Sequence, residues 1–161
     1  MGARWGFNRS VAQIHALLYL APRPLTAEEI AETLSIARSN VSTSLKELQS
    51  WGLAHMVHVL GDRRDHFETE KDVWKIALTI VEQRKQREID PTLGTLAQCV
   101  KEAKDDPATP REIPARMESV HEFLAGTSAW YDQVKTLPTP VLQKLVRLGA
   151  KVARLIGRKT S

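Results

Sequence analysis

The sequence predicts a mainly α-helical chain carrying one small β-hairpin, and three observations predict it. Apolar residues recur at helical spacing in one segment after another, cap and breaker residues separate those segments, and residues 53–69 alone read as two short strands around a Gly-Asp-Arg-Arg turn. With 161 residues and 42% hydrophobic content, the chain is long enough for one core, either as one domain or as a domain with an extension. It contains no internal repeat and no low-complexity tract.

Met1 to Asn8 reads as an arm whose strong features are Arg4 and Trp5. From Arg9 to Leu20, Val11, Ile14, Leu17 and Leu18 form a helical stripe, which Pro22 and Pro24 stop. Thr26-Ala27-Glu28-Glu29 is a capping box: the Thr hydroxyl and the Glu carboxylate each satisfy a free N–H at a helix start, and Ile30 and Leu34 continue the stripe. Ser35-Ile36-Ala37 has the length of the turn in a helix-turn-helix. A third helix opened near Ala37 puts Val41, Leu45 and Leu48 on one side and Ser39, Ser42, Thr43, Lys46 and Ser50 on the other. Short hydroxyl and amide side chains interleaved with single long cations suit a face lying close to phosphates and base edges. A plain Ser- and Thr-rich surface helix has the same pattern, so the neighbouring elements must decide.

Gly52 can take positive φ and stop the third helix between Trp51 and Leu53. Leu53 to Leu60 is β-branched and apolar, Gly61 to Asp65 is a tight polar turn, and His66 to Thr69 can return. Three helices and a hairpin make a winged helix-turn-helix, with Arg63 and Arg64 placed to lie along a phosphate backbone or enter a minor groove. Residues 1–90 are expected to form this unit, with the arm at 1–8 and the wing at 53–70.

Val73, Ile76, Ala77 and Ile80 mark a fourth helix running through the charged stretch 82–88, and Asp90-Pro91 offers an N-cap and first position for the next. Leu93, Leu96, Ala97 and Val100 form its stripe, and Lys104 to Pro114 reads as a loop. Met117, Val120, Leu124, Tyr131 and Val134 then recur in a long helix that Gly126 is able to bend. A last helix opens at Thr139-Pro140. Its apolar side is Val141, Leu142, Leu145, Leu148, Val152, Leu155 and Ile156, with Lys144, Arg147, Lys151, Arg154 and Arg158 over much of the rest. That pattern fits a membrane surface or a partner subunit, and the subunit is favoured because these helices carry more apolar stripe than a small DNA-reading unit can cover. Residues 91–161 are therefore expected to form a helical dimerisation and effector region.

A net charge of +4 and a pI near 9.4 fit a polyanionic partner. No apolar run approaches membrane-spanning length and the first ten residues lack a signal-peptide core, so a cytoplasmic protein is expected. Cys99 is the only cysteine, which excludes an internal disulfide; a passive role is favoured over a redox switch, since it falls off the helix's apolar stripe with no basic residue clearly beside it. His55 and His58, three apart on a strand, point to opposite faces, and no metal site or cofactor is expected. No nucleophile motif, phosphate loop or paired acid and base supports an enzyme.

The sequence resembles the MarR-type winged-helix regulators, and within them the GbsR-like branch associated with glycine betaine synthesis. The resemblance rests on Pro24 to Glu32, on Arg38-Ser39-Asn40-Val41-Ser42 leading into Ser44 to Leu48, on Trp51-Gly52-Leu53, and on Gly61 to Arg64 with Asp72-Val73-Trp74; it spans roughly residues 6–92. It implies a homodimeric regulator, usually a repressor, joined through terminal helices. By position, Ser39, Asn40, Ser42, Thr43 and Lys46 would face bases and nearby phosphates, Arg38 would anchor the helix start, and Arg63 and Arg64 would form the wing tip. Two departures stand out. Ser35 replaces a frequent glycine in the turn, and Ala37 replaces a capping hydroxyl, a loss of about 1 kcal/mol if nothing compensates.

Two copies would place their third helices in successive major grooves about 34–36 Å apart on a near-palindromic operator of double-stranded DNA. Lys46, Arg63 and Arg64 are expected to supply salt-dependent affinity, and Asn40 and Thr43 sequence discrimination. Control by a small molecule is expected, and Trp5, Trp74, Trp130 and Tyr131 are candidates for an aromatic site for a choline- or betaine-like effector, although such residues also serve as core or interface. The alternative is a winged-helix adaptor that binds a protein partner and has lost DNA binding.

Overall fold

A computed structural model describes residues 8–149. Two compact units meet in sequence at Gln83 and Arg84. The first contains α1 (Arg9–Leu20), β1 (Leu25–Thr26), α2 (Ala27–Leu34), α3 (Arg38–Ser50), β2 (His55–Val57), β3 (His66–Glu68) and, up to the division, α4 (Val73–Arg84). The second contains a π turn (Lys85–Ile89), α5 (Asp90–Asp105), α6 (Glu112–Val134) and α7 (Thr139–Leu148).

The first unit is built around α3. Val41, Leu45 and Leu48 meet Val11, Ile14 and Leu18 of α1 and Ala27 and Ile30 of α2 in one buried cluster that Leu53 and Ala54 continue and that Ile76 and Ile80 of α4 flank. Burying side chains of this size stabilises by roughly 1.5–3 kcal/mol each, so the apolar side of α3 is strongly specified and its opposite side is left outward.

The boundaries of α3 have local causes. Thr26 and Glu29 form the reciprocal capping box of α2: Glu29 N–H donates to Thr26 Oγ1 at 3.3 Å and Thr26 N–H donates to Glu29 Oε2 at 2.7 Å. Ser35 closes α2 with φ +52, a left-handed conformation that a non-glycine residue holds at some cost. Ala37 precedes α3 with no side-chain cap. At the other end Gly52, φ +65, completes a Schellman stop in which Leu53 N–H donates to the Leu48 carbonyl at 2.8 Å and Gly52 N–H to that of Gln49 at 2.9 Å.

The wing is a three-stranded antiparallel sheet in the order β1-β3-β2. β3 pairs Phe67 with Leu25 and with Met56, and His66 with Thr26 and with Val57. The hairpin expected from sequence is present, with shorter strands than residues 53–60 suggest, and β1 adds a third strand that ties it to the start of α2. Asp62 shapes the turn by accepting from the Arg64 backbone N–H at 3.0 Å.

In the second unit Asp90 does not act as an N-cap; its φ of −61 and ψ of −44 are helical. Its N–H donates to Lys85, five residues back, so the turn before Pro91 is π-type. Proline has no N–H and its ring crowds the carbonyl four residues earlier, which the wider turn relieves. Lys85 Nζ holds that turn to α6, 3.0 Å from Asp90 Oδ1 and 3.4 Å from Asp132 Oδ2. At the far end Lys104 pairs with Glu118, so α5 and α6 run antiparallel. The loop between them is 106–111, and α6 continues through Gly126. Cys99 lies half-buried with Leu96, Thr95 and Met117 along a groove of about 340 Å³, on the packing side of α5 and not off its stripe. α7 buries Leu142. Arg4, Trp5 and the distal apolar and basic positions 151–158 lie outside the described residues. Among the described residues no helix is long and apolar enough to cross a membrane.

Candidate nucleic-acid interface

The outward side of α3 and the base of the wing enclose a groove of about 220 Å³. Arg38, Ser42, Lys46 and Gln49 line it from α3, Met56, Asp65 and Phe67 from the hairpin. Lys46 stands four positions after Ser42 and Gln49 three after Lys46, a spacing that keeps all three on one helical stripe. Gln49 and Met56 were not singled out from sequence; for Gln49 that same stripe is the signal that could have found it.

The expected α3 residues divide into two groups. Ser39, Thr43 and Lys46 are exposed. The Thr43 hydroxyl donates to the Ser39 carbonyl at 3.1 Å, which leaves its oxygen outward as an acceptor for an exocyclic amino group. Asn40 is different. Its carboxamide donates to Ser10 Oγ at 3.0 Å and accepts from Ser44 Oγ at 3.4 Å, so it joins α1 to α3 in place of facing the open side. Ser10 was not recognised from sequence, because a hydrogen bond across thirty positions leaves no local pattern; for Ser44, one helical turn after Asn40, helical spacing is the signal that could have found it.

The cations also differ. Lys46 and Arg63 are exposed and form no ion pair among the described residues. Arg38 Nε donates to Glu28 Oε1 at 2.7 Å. Arg64 forks onto Asp62, with Nε 3.0 Å from Oδ1 and Nη2 2.5 Å from Oδ2. Arg23 Nη2 donates to Glu29 Oε1 at 2.6 Å. The Arg64 contact holds the Asp62 carboxyl well below the usual carboxylate range, and the Arg38 contact lowers the Glu28 carboxyl. Glu29 is lowered to about 2, first by Arg23 and then by the Thr26 N–H. All three acids are thus ionised at neutral pH, and the interface alternates charges where the cations alone suggest a uniformly positive face.

Behind the wing, His15 Nε2 lies 3.2 Å from Thr69 Oγ1, which itself donates to the Leu53 carbonyl at 2.6 Å. The hydroxyl proton is committed, so the imidazole donates. Lys71 Nζ reaches the Leu18, Tyr19 and Ala21 carbonyls at 2.6, 3.0 and 2.9 Å and closes the C-terminus of α1. These two contacts fix the hairpin's base against α1.

The aromatic candidates fall on different elements. Trp74 is half-buried in α4 of the first unit, while Trp130 and Tyr131 are consecutive on α6, where adjacent side chains diverge by about 100° and do not face each other. Trp130 is 62% exposed, and Lys135 Nζ sits 5.6 Å from the Tyr131 ring centre. Trp5 lies outside the described residues. Among the described residues no three His, Cys, Asp or Glu side chains gather as for a metal, and His66 is buried with Nδ1 on the Arg64 carbonyl at 2.9 Å.

Comparison with known proteins agrees with this geometry. Residues 5–65 match the model of the MarR family. The chain is 23% identical over 142 residues to the HTH-type transcriptional repressor GbsR of Bacillus subtilis (strain 168), covering 85% of this chain and 77% of that one. It is 19% identical over 136 residues to the HTH-type transcriptional repressor OpcR of the same organism, covering 83% and 74%. A crystal structure of a transcriptional regulator shares the fold with a TM-score of 0.65 at 17% identity, over 91% of this chain and 90% of that one.

Proposed function

We propose that this chain, a MarR-type winged-helix regulator of the GbsR-like branch, is a sequence-specific DNA-binding protein that works as a homodimeric repressor under the control of a small molecule. The observation that carries the reading is the groove shared by α3 and the hairpin, with Lys46 and Arg38 on its helical wall and Asp65, Met56 and Phe67 opposite. A helix whose inner side is fully committed to the core presents its outer side rigidly, as insertion into a major groove requires.

In this reading Ser39, Thr43, Lys46 and Gln49 approach base edges and the nearest phosphates. Arg38 steadies the entry of the helix, and Arg63 and Arg64 follow the backbone from the wing. Asn40 keeps α3 in register on α1. On this reading the chain acts by occupancy of DNA, not by turnover. The partner subunit is a second copy joined through the terminal helices, and two symmetric heads select a near-palindrome. An effector that binds one spacing of the heads better than the other alters DNA affinity by that difference.

The test is binding of the purified protein to its own upstream DNA, titrated at several salt concentrations. Affinity that falls steeply with salt and concentrates on one near-palindromic segment supports the reading. No DNA affinity together with capture of a protein partner points to the adaptor instead. Release of that DNA, and a thermal shift, on adding choline or betaine test the effector class; no response in either removes that class.

A further inference from the structure

Glu28 is an acid in the first turn of α2, beside the Arg38 that opens α3, and its placement bears on how the proposed interface discriminates. Its carboxylate is held 2.7 Å from Arg38 Nε, with both side chains about half exposed, 54% and 51%. Arg38 opens α3 and lines the groove with Ser42 and Lys46. Only its Nε is engaged; its Nη groups have no partner among the described residues.

We infer that Glu28 is a specificity-determining residue of the interface: it orients Arg38 through Nε and restrains it from serving as a free phosphate cation. This rests on the DNA-binding reading above. In one register the Nη edge meets a phosphate while Nε stays on Glu28. In any other register Arg38 must leave Glu28 to reach a phosphate, and an ionised carboxylate is then stranded beside the polyanion. An exposed pair of this kind is weak enough to open, so the penalty comes mainly from that repulsion. The arrangement is repeated nearby: Asp62 holds Arg64 and Glu29 holds Arg23 in like manner. Glu28 is the cleanest of the three to test, since Glu29 also caps α2 and Asp62 also shapes the wing turn.

The experiment compares wild type with Glu28→Gln on the near-palindromic segment it binds best in its own upstream DNA and on scrambled DNA of equal length, across a salt series. Glu122→Gln, an exposed acid on α6, controls for net charge. The expected result is that scrambled DNA binds several-fold tighter, with its salt dependence steeper by about one phosphate contact, a slope change of about 0.9. Binding to the chosen fragment changes less, so the ratio between the two falls; in an Arg38→Ala background the substitution loses this effect on the ratio. Equal tightening on both DNAs, no change on either, or an unchanged effect without Arg38 overturns the inference. Absence of salt-dependent binding by the wild type would instead defeat the DNA-binding reading itself.

Discussion

The Asn40 carboxamide donates to Ser10 Oγ at 3.0 Å, a side-chain link between the third and first helices. Its oxygen accepts from Ser44, itself buried, so both ends of the amide are engaged inside the unit. Asn40→Ala is therefore expected to lower stability by about 1 kcal/mol, the usual net worth of such a hydrogen bond. Affinity should fall alike on operator and scrambled DNA. Urea melts and a paired binding assay check this; loss of operator preference with stability intact would return Asn40 to the base-reading face.

Lys46 and Arg63 carry charge that is unpaired among the described residues, whereas Arg64 is already forked onto Asp62. Replacing either of the first two with Ala is expected to make the salt dependence shallower by about 0.9, and Arg64→Ala by less. Fluorescence anisotropy over a salt series measures all three. Equal slopes for Arg63→Ala and Arg64→Ala would mean that Asp62 releases its partner on DNA. Thr43→Val keeps the shape but removes the acceptor, and should weaken operator discrimination by about 1–3 kcal/mol if that oxygen meets a base.

Two local defects flank the helix-turn-helix turn, and both are open to repair. Ala37 leaves the first N–H groups of α3 without a side-chain acceptor, and its φ of −60 and ψ of 139 already suit a capping residue. Ala37→Ser is expected to raise stability by about 0.5–1 kcal/mol. Ser35→Gly should relieve the left-handed strain at φ +52, by about 1 kcal/mol. Thr26→Ala should act in the opposite direction, costing about 1 kcal/mol by opening the capping box. Thermal melts of the three variants settle the signs.

These elements also mark how far the sequence can be read. The capping box, the Gly52 stop, the apolar side of α3 and the hairpin turn all follow from residues within a few positions of one another, and local chemistry sets them. β1 does not: Leu25 and Thr26 become a strand because Phe67 and His66 lie beside them, about forty positions later. The same holds for the site. Lys46 and Thr43 are legible from helical spacing alone, but the partner of Asn40 on α1 and that of Arg38 on α2 lie thirty and ten positions away. Arg64 is an intermediate case, since Asp62 stands only two residues before it. At Pro91 a rule of local sequence misleads, because Asp-Pro usually opens a helix and here a π turn carries helical backbone through it.

The His15–Thr69–Leu53 chain gives the first unit a pH dependence whose sign can be worked out. Burial lowers the His15 pKa from its ordinary 6.5, and Thr69 can only accept from the ring because its own proton goes to the Leu53 carbonyl. The unfolded chain thus binds a proton at His15 more readily than the folded one, and stability falls as pH drops below about 6.5 toward the lowered value. Glu29 acts in a separate window: its carboxyl, lowered from 4.5 to about 2, contributes stability that is present above 4.5 and lost as pH falls toward 2. Urea midpoints at pH 8 and pH 5.5 should therefore differ more for wild type than for His15→Gln, while both proteins weaken together below pH 4.5. A His15→Gln protein with the wild-type pH response between 8 and 5.5 would show that the imidazole is not charged by unfolding in that range.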